Sequence, residues 1–352
     1  SGGRIDVFRD PIIRNIGRYI CRVYISEGSR FVNFADSPAK IRPRSSLIYR
    51  YGKRIGDPVM ENFVIYLLHR YRAAETVAGG TLGNVLDELF MGNDWQQRPG
   101  IEPCPESFYF QDVQIAVARE NEGSRQGFYF AAKGGHNAET HNHNDVGSAI
   151  VCYDGQPVFV DPGVGTYTRA TFEEGRYSIW TMQSDYHNLP RINGLSQQAG
   201  KRFRAEQPVF RNEKRFVEFS LDMAKAYPDE ACVRSWRRTY RIERGEALYL
   251  SDRFELDRVT DTTRLRFVTP LNIELGRPGR IVLYRENLRL HVGYDPRQLT
   301  PRVERVDIRD LKLTRIWGDR LGVLGEEPDQ GIGGRPAEGC PHRHDGRREQ
   351  HA

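Results

Sequence analysis

No apolar run in the sequence is long enough to cross a bilayer. The longest near its start, Phe63 to Leu68, falls far short of the roughly 20 residues a spanning helix needs, so no membrane span is expected. Cysteine is scarce and unpatterned. Cys21, Cys104, Cys152, Cys232 and Cys340 make an odd total with no CxxC spacing, which argues against a disulfide framework and against a cysteine-built zinc site. They read as small buried or surface thiols. Lysine is nearly missing as well: seven of the 52 basic residues are lysine and 45 are arginine. The resulting charge of +5 is spread along the chain and not gathered into blocks. Guanidinium is the better fork for carboxylate, sulfate or phosphate, a property that nucleic acid or an acidic polysaccharide can exploit and that a biased codon pool also produces. The opening Ser-Gly-Gly-Arg has neither an initiator Met nor a basic stretch followed by an apolar segment, so no secretion signal is visible.

What is present suffices for a large fold. The 352 residues, 38% hydrophobic and 28% charged, suggest two domains or one large β domain with an appendage. Residues 1–92 read as helical. In Pro11 to Ile25 the apolar positions Ile12, Ile13, Ile16, Ile20 and Val23 recur at spacings of three and four, predicting an amphipathic helix that starts at Pro11. A second stretch runs from Val59 to about Tyr71, and a shorter one holds Leu82, Val85, Leu86, Leu89 and Phe90. Positions 93–105, with three prolines, break the periodicity as a linker would. From 106 to 324 a period of two takes over, as in Trp236, Tyr240 and Ile242 against Arg237, Thr239, Arg241 and Glu243. The expected class is α+β: a short all-α segment followed by a large antiparallel β-sandwich. Positions 325–352 have scarcely an apolar side chain and read as a disordered tail, in which Cys340, His342 and His344 form an accidental cluster.

The informative feature is a group of histidines. His136, His141, His143 and His187 lie in the polar part of the β region. After His141-Asn-His143-Asn-Asp145 come a β-prone run to Tyr153, the turn pair Asp154-Gly155, and a second run to Gly163. Asp-Gly between two such runs is a strong hairpin signal. A two-residue turn pairs positions summing to 309, which sets Asp161 opposite Ser148 and returns its carboxylate toward the histidines. If the backbone is extended there, His141 and His143 share a face. A mixed His/Asp/His set suits Zn²⁺ with an open fourth position, and one metal does not need both neighbouring histidines. His69, His136 and His291 read as ordinary surface or loop residues.

The string His141-Asn-His-Asn-Asp-Val-Gly-Ser148, then Gly155-Gln-Pro-Val-Phe-Val-Asp-Pro-Gly163, then His187-Asn188 with Asn193-Gly194 and Gln197, resembles the signature region of the heparinase II/III-like polysaccharide lyases. Upstream, Val32 to Lys40 and Tyr51 to Pro58 are similar to the last part of the α/α toroid that precedes the sandwich in that family. The resemblance covers about residues 1–320.

It implies that His143, Asp161 and His187 hold one zinc ion with a mainly structural role, and that His141 is the active-site histidine. It also implies β-elimination on a uronate-containing acidic glycan as substrate, with no nucleic-acid partner, and periplasmic or secreted placement. Such a reaction needs charge neutralisation, a base and an acid. Local candidates for the acid are Tyr167 and Tyr177; Arg176 is a candidate carboxylate clamp, and Asn142 and Asn188 are candidate substrate contacts. Nothing in residues 1–30 resembles the toroid segment that carries the family's principal catalytic tyrosine, so the expectation is an N-terminally incomplete chain whose own activity the resemblance does not imply. Two other readings stand beside this one. A zinc-stabilised sandwich would bind acidic glycans without cleaving them. A metal-dependent hydrolase would use the near match to HxHxDH, in which Val146 stands at the final histidine position.

Overall fold

The structure is a computed structural model that describes residues 6–75, 82, 83, 86 and 95–328. Helix α1 (Pro11–Arg22) starts where Pro11 predicts, capped by the Asp10 carboxylate accepting from the Ile12 N–H at 2.9 Å. It stops at Arg22 and not at Ile25, because Tyr24–Ser26 pairs with Arg30–Phe31 as a small hairpin that the helical reading of 1–92 does not contain. Its apolar positions are split: Val23 and Cys21 are buried, while Ile12 and Ile16 are 62% and 61% exposed. Helix α2 (Ser45–Ile55) closes on Gly56, and Asp57 caps the first turn of α3 (Pro58–Glu75) through the Val59 and Met60 N–H groups. Of the shorter apolar stretch, Leu82 and Leu86 are exposed, and Val85, Leu89 and Phe90 lie outside the described residues.

The β region is an antiparallel sandwich. One sheet has five strands, Phe108–Phe110, Ile115–Arg119, Phe128–Lys133, Ala149–Tyr153 and Gln156–Phe159, paired in that order. Facing it are the four strands Glu206–Asn212, Phe216–Asp222, Val233–Glu243 and Ala247–Leu256. The main core lies between them, with Ala116, Phe130, Ala132 and Val151 meeting Phe219, Trp236, Tyr240 and Ile242. The other face of the five-stranded sheet is also covered: Val117, Tyr129, Ala131, Ile150 and Cys152 pack with Cys21, Tyr24, Met60, Phe63 and Leu67. Burial on both faces is why its central strands read as continuous apolar runs and lack alternation. The strand Val233–Glu243, with one face buried, alternates cleanly.

A third sheet joins Leu299–Asp307, Arg320–Pro328, Arg264–Thr269 and Pro190–Arg191. Its strand Arg320–Pro328 runs four residues past the boundary drawn at 324, held by pairing to Leu299–Asp307. Positions 329–352, with the tail and its Cys340, His342 and His344, lie outside the described residues. A short helix, Leu311–Trp317, interrupts the β region where no helical periodicity is evident; Asp310 caps it, accepting from the Lys312 and Leu313 N–H groups. The four described cysteines are buried free thiols.

Candidate metal centre and active site

Four loops converge at one end of the Asp154-Gly155 hairpin. The turn itself is as the sequence predicts, with Asp154 at φ +48° and Gly155 at φ +74°, and Tyr153 pairs Gln156. The register then slips by one residue: Val151 faces Phe159, not Val158. The pairing rule that set Asp161 opposite Ser148 fails at this bulge, and the second run leaves its partner to pair elsewhere, the Val160 N–H donating to the Val268 carbonyl at 2.9 Å. Asp161 still ends beside the histidines.

His143, Asp161 and His187 are wholly buried, and a ligand atom from each lies within 4.8 Å of the other two. The His187 Nδ1 and Asp161 Oδ2 atoms are 3.1 Å apart, yet neither makes an aligned hydrogen bond. His143 Nδ1 and His187 Nε2 are likewise buried without a partner. Orphaned buried donors and acceptors are costly, and here each of the three residues contributes at least one. The set of two imidazoles and a carboxylate therefore fits the zinc ion the resemblance implies, by its donor chemistry and by its unsatisfied atoms. Burial opposes ionisation of Asp161, but His187, His143 and the Gly163 N–H outweigh it and hold the carboxyl below its usual range. Burial works against a charged His187 too, and Asp161 reverses it, so its imidazole is pushed up.

His141 lies outside this trio. Its backbone is not extended: φ is +59°, a left-handed conformation uncommon for a non-glycine residue. The turn separates it from His143, so that His141 keeps 56% of its side-chain surface while His143 has none. Both rings nevertheless reach the same buried carboxylate. Asp36 accepts at Oδ2 from His141 Nδ1 (2.9 Å), and at Oδ1 it meets His143 Nε2 (3.2 Å) and the Arg176 guanidinium (2.7 Å). Desolvation alone would raise its pKa, but these three partners drive it well below the carboxylate range. Asp36 sits in a loop behind the Arg30–Phe31 strand, more than a hundred residues from the histidines in sequence. Nothing in local spacing marks it.

The remaining candidates fall into two groups. Arg176 binds the protein's own groups: besides Asp36 it donates to the carbonyls of Thr171, His141 and Asn142. It clamps a carboxylate, that of Asp36, and holds the His141 turn. Tyr177 donates to Asn142 Oδ1 at 3.0 Å, and Asn142 is buried. Asn188 is buried as well and stitches strands together, donating to the Ala149 and Val160 carbonyls and accepting from the Val268 N–H. Tyr167 is different. It is 46% exposed, and partial burial and the neighbouring Asp36 carboxylate raise its pKa. Beneath the trio, buried Lys133 pairs with Asp145 at 2.6 Å and with Glu139 at 3.3 Å.

The model of the heparinase II/III-like C-terminal domain matches residues 103–306, over half of the chain. The chain belongs to the heparinase II/III-like family. Solved structures of the same fold include a heparan sulfate lyase HepC mutant from Pedobacter heparinus, with 14% identity over 91% of this chain and 44% of that one, at a TM-score of 0.61. Heparinase III shares 16% identity over 90% of this chain and 45% of its own, at a TM-score of 0.58. A methylated-lysine form of another heparinase III shares 14% over 90% and 51%, at 0.53. This heparinase II/III-like chain thus spans about half the length, or less, of these structures. Comparison with curated proteins returns no match.

Proposed function

We propose that the protein is part of a polysaccharide lyase that cleaves uronate-containing acidic glycans by β-elimination, with His141 as the base. The observation that carries this reading is the His141–Asp36 pair: an exposed imidazole held at Nδ1 by a buried, ionised carboxylate. That bond places the ring proton on Nδ1 and turns the free lone pair of Nε2 outward, the arrangement by which a carboxylate orients a general base. His141 Nε2 would take the proton from the carbon next to the uronate carboxylate. Tyr167, exposed beside Asp36, is the better placed of the two tyrosines to give a proton to the leaving oxygen; Tyr177 is engaged with Asn142. Zinc, held by His143, Asp161 and His187, would supply positive charge that fixes the loops carrying these groups. Asp36 links the two parts through His143. Family membership also supports an acidic polysaccharide as partner and a periplasmic or secreted placement. No helix among the described residues is long and apolar enough to cross a membrane.

Incubation with uronate polymers tests the proposal: new ultraviolet-absorbing unsaturated ends are expected, and their formation should be lost in His141→Ala. Binding without new ends would favour the glycan-binding module. Chain ends without unsaturation would favour the hydrolase.

A further inference from the structure

At the opposite end of the same hairpin lies a polar cleft of about 870 Å³. Three regions of the chain bring four cations to it: Arg30 from the small hairpin with Lys40 bridged to it through the backbone, Arg285 at the end of the strand Arg280–Arg285, and Arg315 from the helix Leu311–Trp317. None of these four has a carboxylate within ion-pair distance among the described residues. Of the three acids that line the cleft, Glu27 is paired with Arg125 and Arg70 and Asp154 accepts from the Gly127 N–H, while Glu286, exposed next to Arg285, leaves the four cations in excess. Trp317 lies under the Arg30 guanidinium, 5.6 Å from ring centroid to Cζ, which holds one face of that fork and leaves its edge free. Partial burial, and after it the repulsion from Arg285, depresses the proton affinity of Arg30; Lys40 is depressed by burial and by both arginines.

Unpaired like charges gathered in a concavity destabilise one another and concentrate a field that attracts anions. A planar carboxylate satisfies one guanidinium fork, whereas cations approaching from several directions match oxygens disposed tetrahedrally, as on sulfate or a sulfate ester. We propose that this cleft binds a tetrahedral oxyanion, a sulfate group either free in solution or carried on a sugar. The inference makes no use of the elimination chemistry or of the metal trio.

Calorimetry at constant ionic strength tests it, with three probes: sodium sulfate, a sulfated uronate tetrasaccharide and its desulfated counterpart. The protein is compared with Lys40→Gln, Arg285→Gln and the double variant, all at exposed positions. Affinity for sulfate-bearing probes should fall at least tenfold in the double variant, while the ligand-free variant melts at or above the parent temperature because repulsion is relieved. Tighter binding of the sulfated sugar than of free sulfate assigns the anion to a glycan; equal binding of the two assigns it to free sulfate. Sulfate also stabilises proteins by exclusion from their surface, so an equal response of parent and double variant overturns the proposal. So does binding of the desulfated sugar as tight as that of the sulfated one. Binding is read without turnover, so a chain inactive on uronate polymers tests the cleft equally well.

Discussion

At the scale of single residues the site turns on the division of work between two histidines that are two positions apart. His143 has no exposed surface and an orphaned Nδ1, whereas His141 is open and bonded to Asp36. His143→Ala should therefore lower bound zinc and melting temperature, and His141→Ala should spare both; equal metal loss in the two variants, measured by atomic absorption, would overturn the assignment. Asp36 has a role on each side of this division. Asp36→Asn should weaken zinc binding by about 10- to 100-fold, the usual cost of losing a carboxylate behind a metal-bound imidazole, and a competition titration reads it. The same substitution has a pH signature. The folded pKa of Asp36 is depressed, so its contribution to stability is present above the unfolded carboxyl value of about 3.9 and is lost as pH falls through the folded value. Parent and Asp36→Asn melting curves should converge as pH drops below about 4. The gathering of His141, His143 and His187 was legible because histidines crowd one polar stretch of the β region, and that of Asp161 because the Asp154-Gly155 turn returns its strand, although the register used to place it slips. Asp36 was not, since an Asp in a turn is common and its partners arrive only through tertiary folding.

At the scale of elements, the loops that carry the site are tied to the fold at few points. The long connection from Gly163 to Leu189 has only short 3-10 turns, and one anchor is Asp310, which caps the helix Leu311–Trp317 and accepts from the Thr166 N–H at 2.8 Å. Asp310→Ala removes a cap and frees that loop, so it should cost about 1–2 kcal/mol and raise amide exchange in the connection around Tyr167. A stability change with unaltered exchange there would show that the cap serves the helix alone. Neither this helix nor the bulge at Val158 was readable beforehand. Seven residues are too few to show a helical period, and a bulge adds one residue to a strand without altering its composition. Helix α3 and the alternating strand Val233–Glu243 were readable because each is long and one period dominates. Helix α1 began where Pro11 and Asp10 require, but its end was set by the pairing of Tyr24 and Phe31, a tertiary contact.

At the scale of the whole molecule, the sandwich core and the metal trio are mechanically one object. Arg238, fully buried in a strand whose other inward residues are apolar, pairs bidentately with Asp252 at 2.8 and 2.6 Å. From inside the core it also donates to the carbonyl of Asn188 at 2.5 Å, next to His187. A buried ion pair of this kind is a poor source of net stability, and its position points instead to fixing the His187–Asn188 loop. If the trio holds zinc, binding energy enters the folding equilibrium directly, because the unfolded chain cannot gather three donors spread over 45 positions. Free zinc at a thousand times its dissociation constant should then add about 4 kcal/mol, which for a domain of this size raises the melting temperature by roughly 10 °C. Chelation should remove the increment, and His143→Ala should never show it. Identical melting with zinc and with chelator would mean that the three buried donors serve the fold alone, and the metal would drop out of the proposed chemistry while the His141–Asp36 pair remained to be tested on its own.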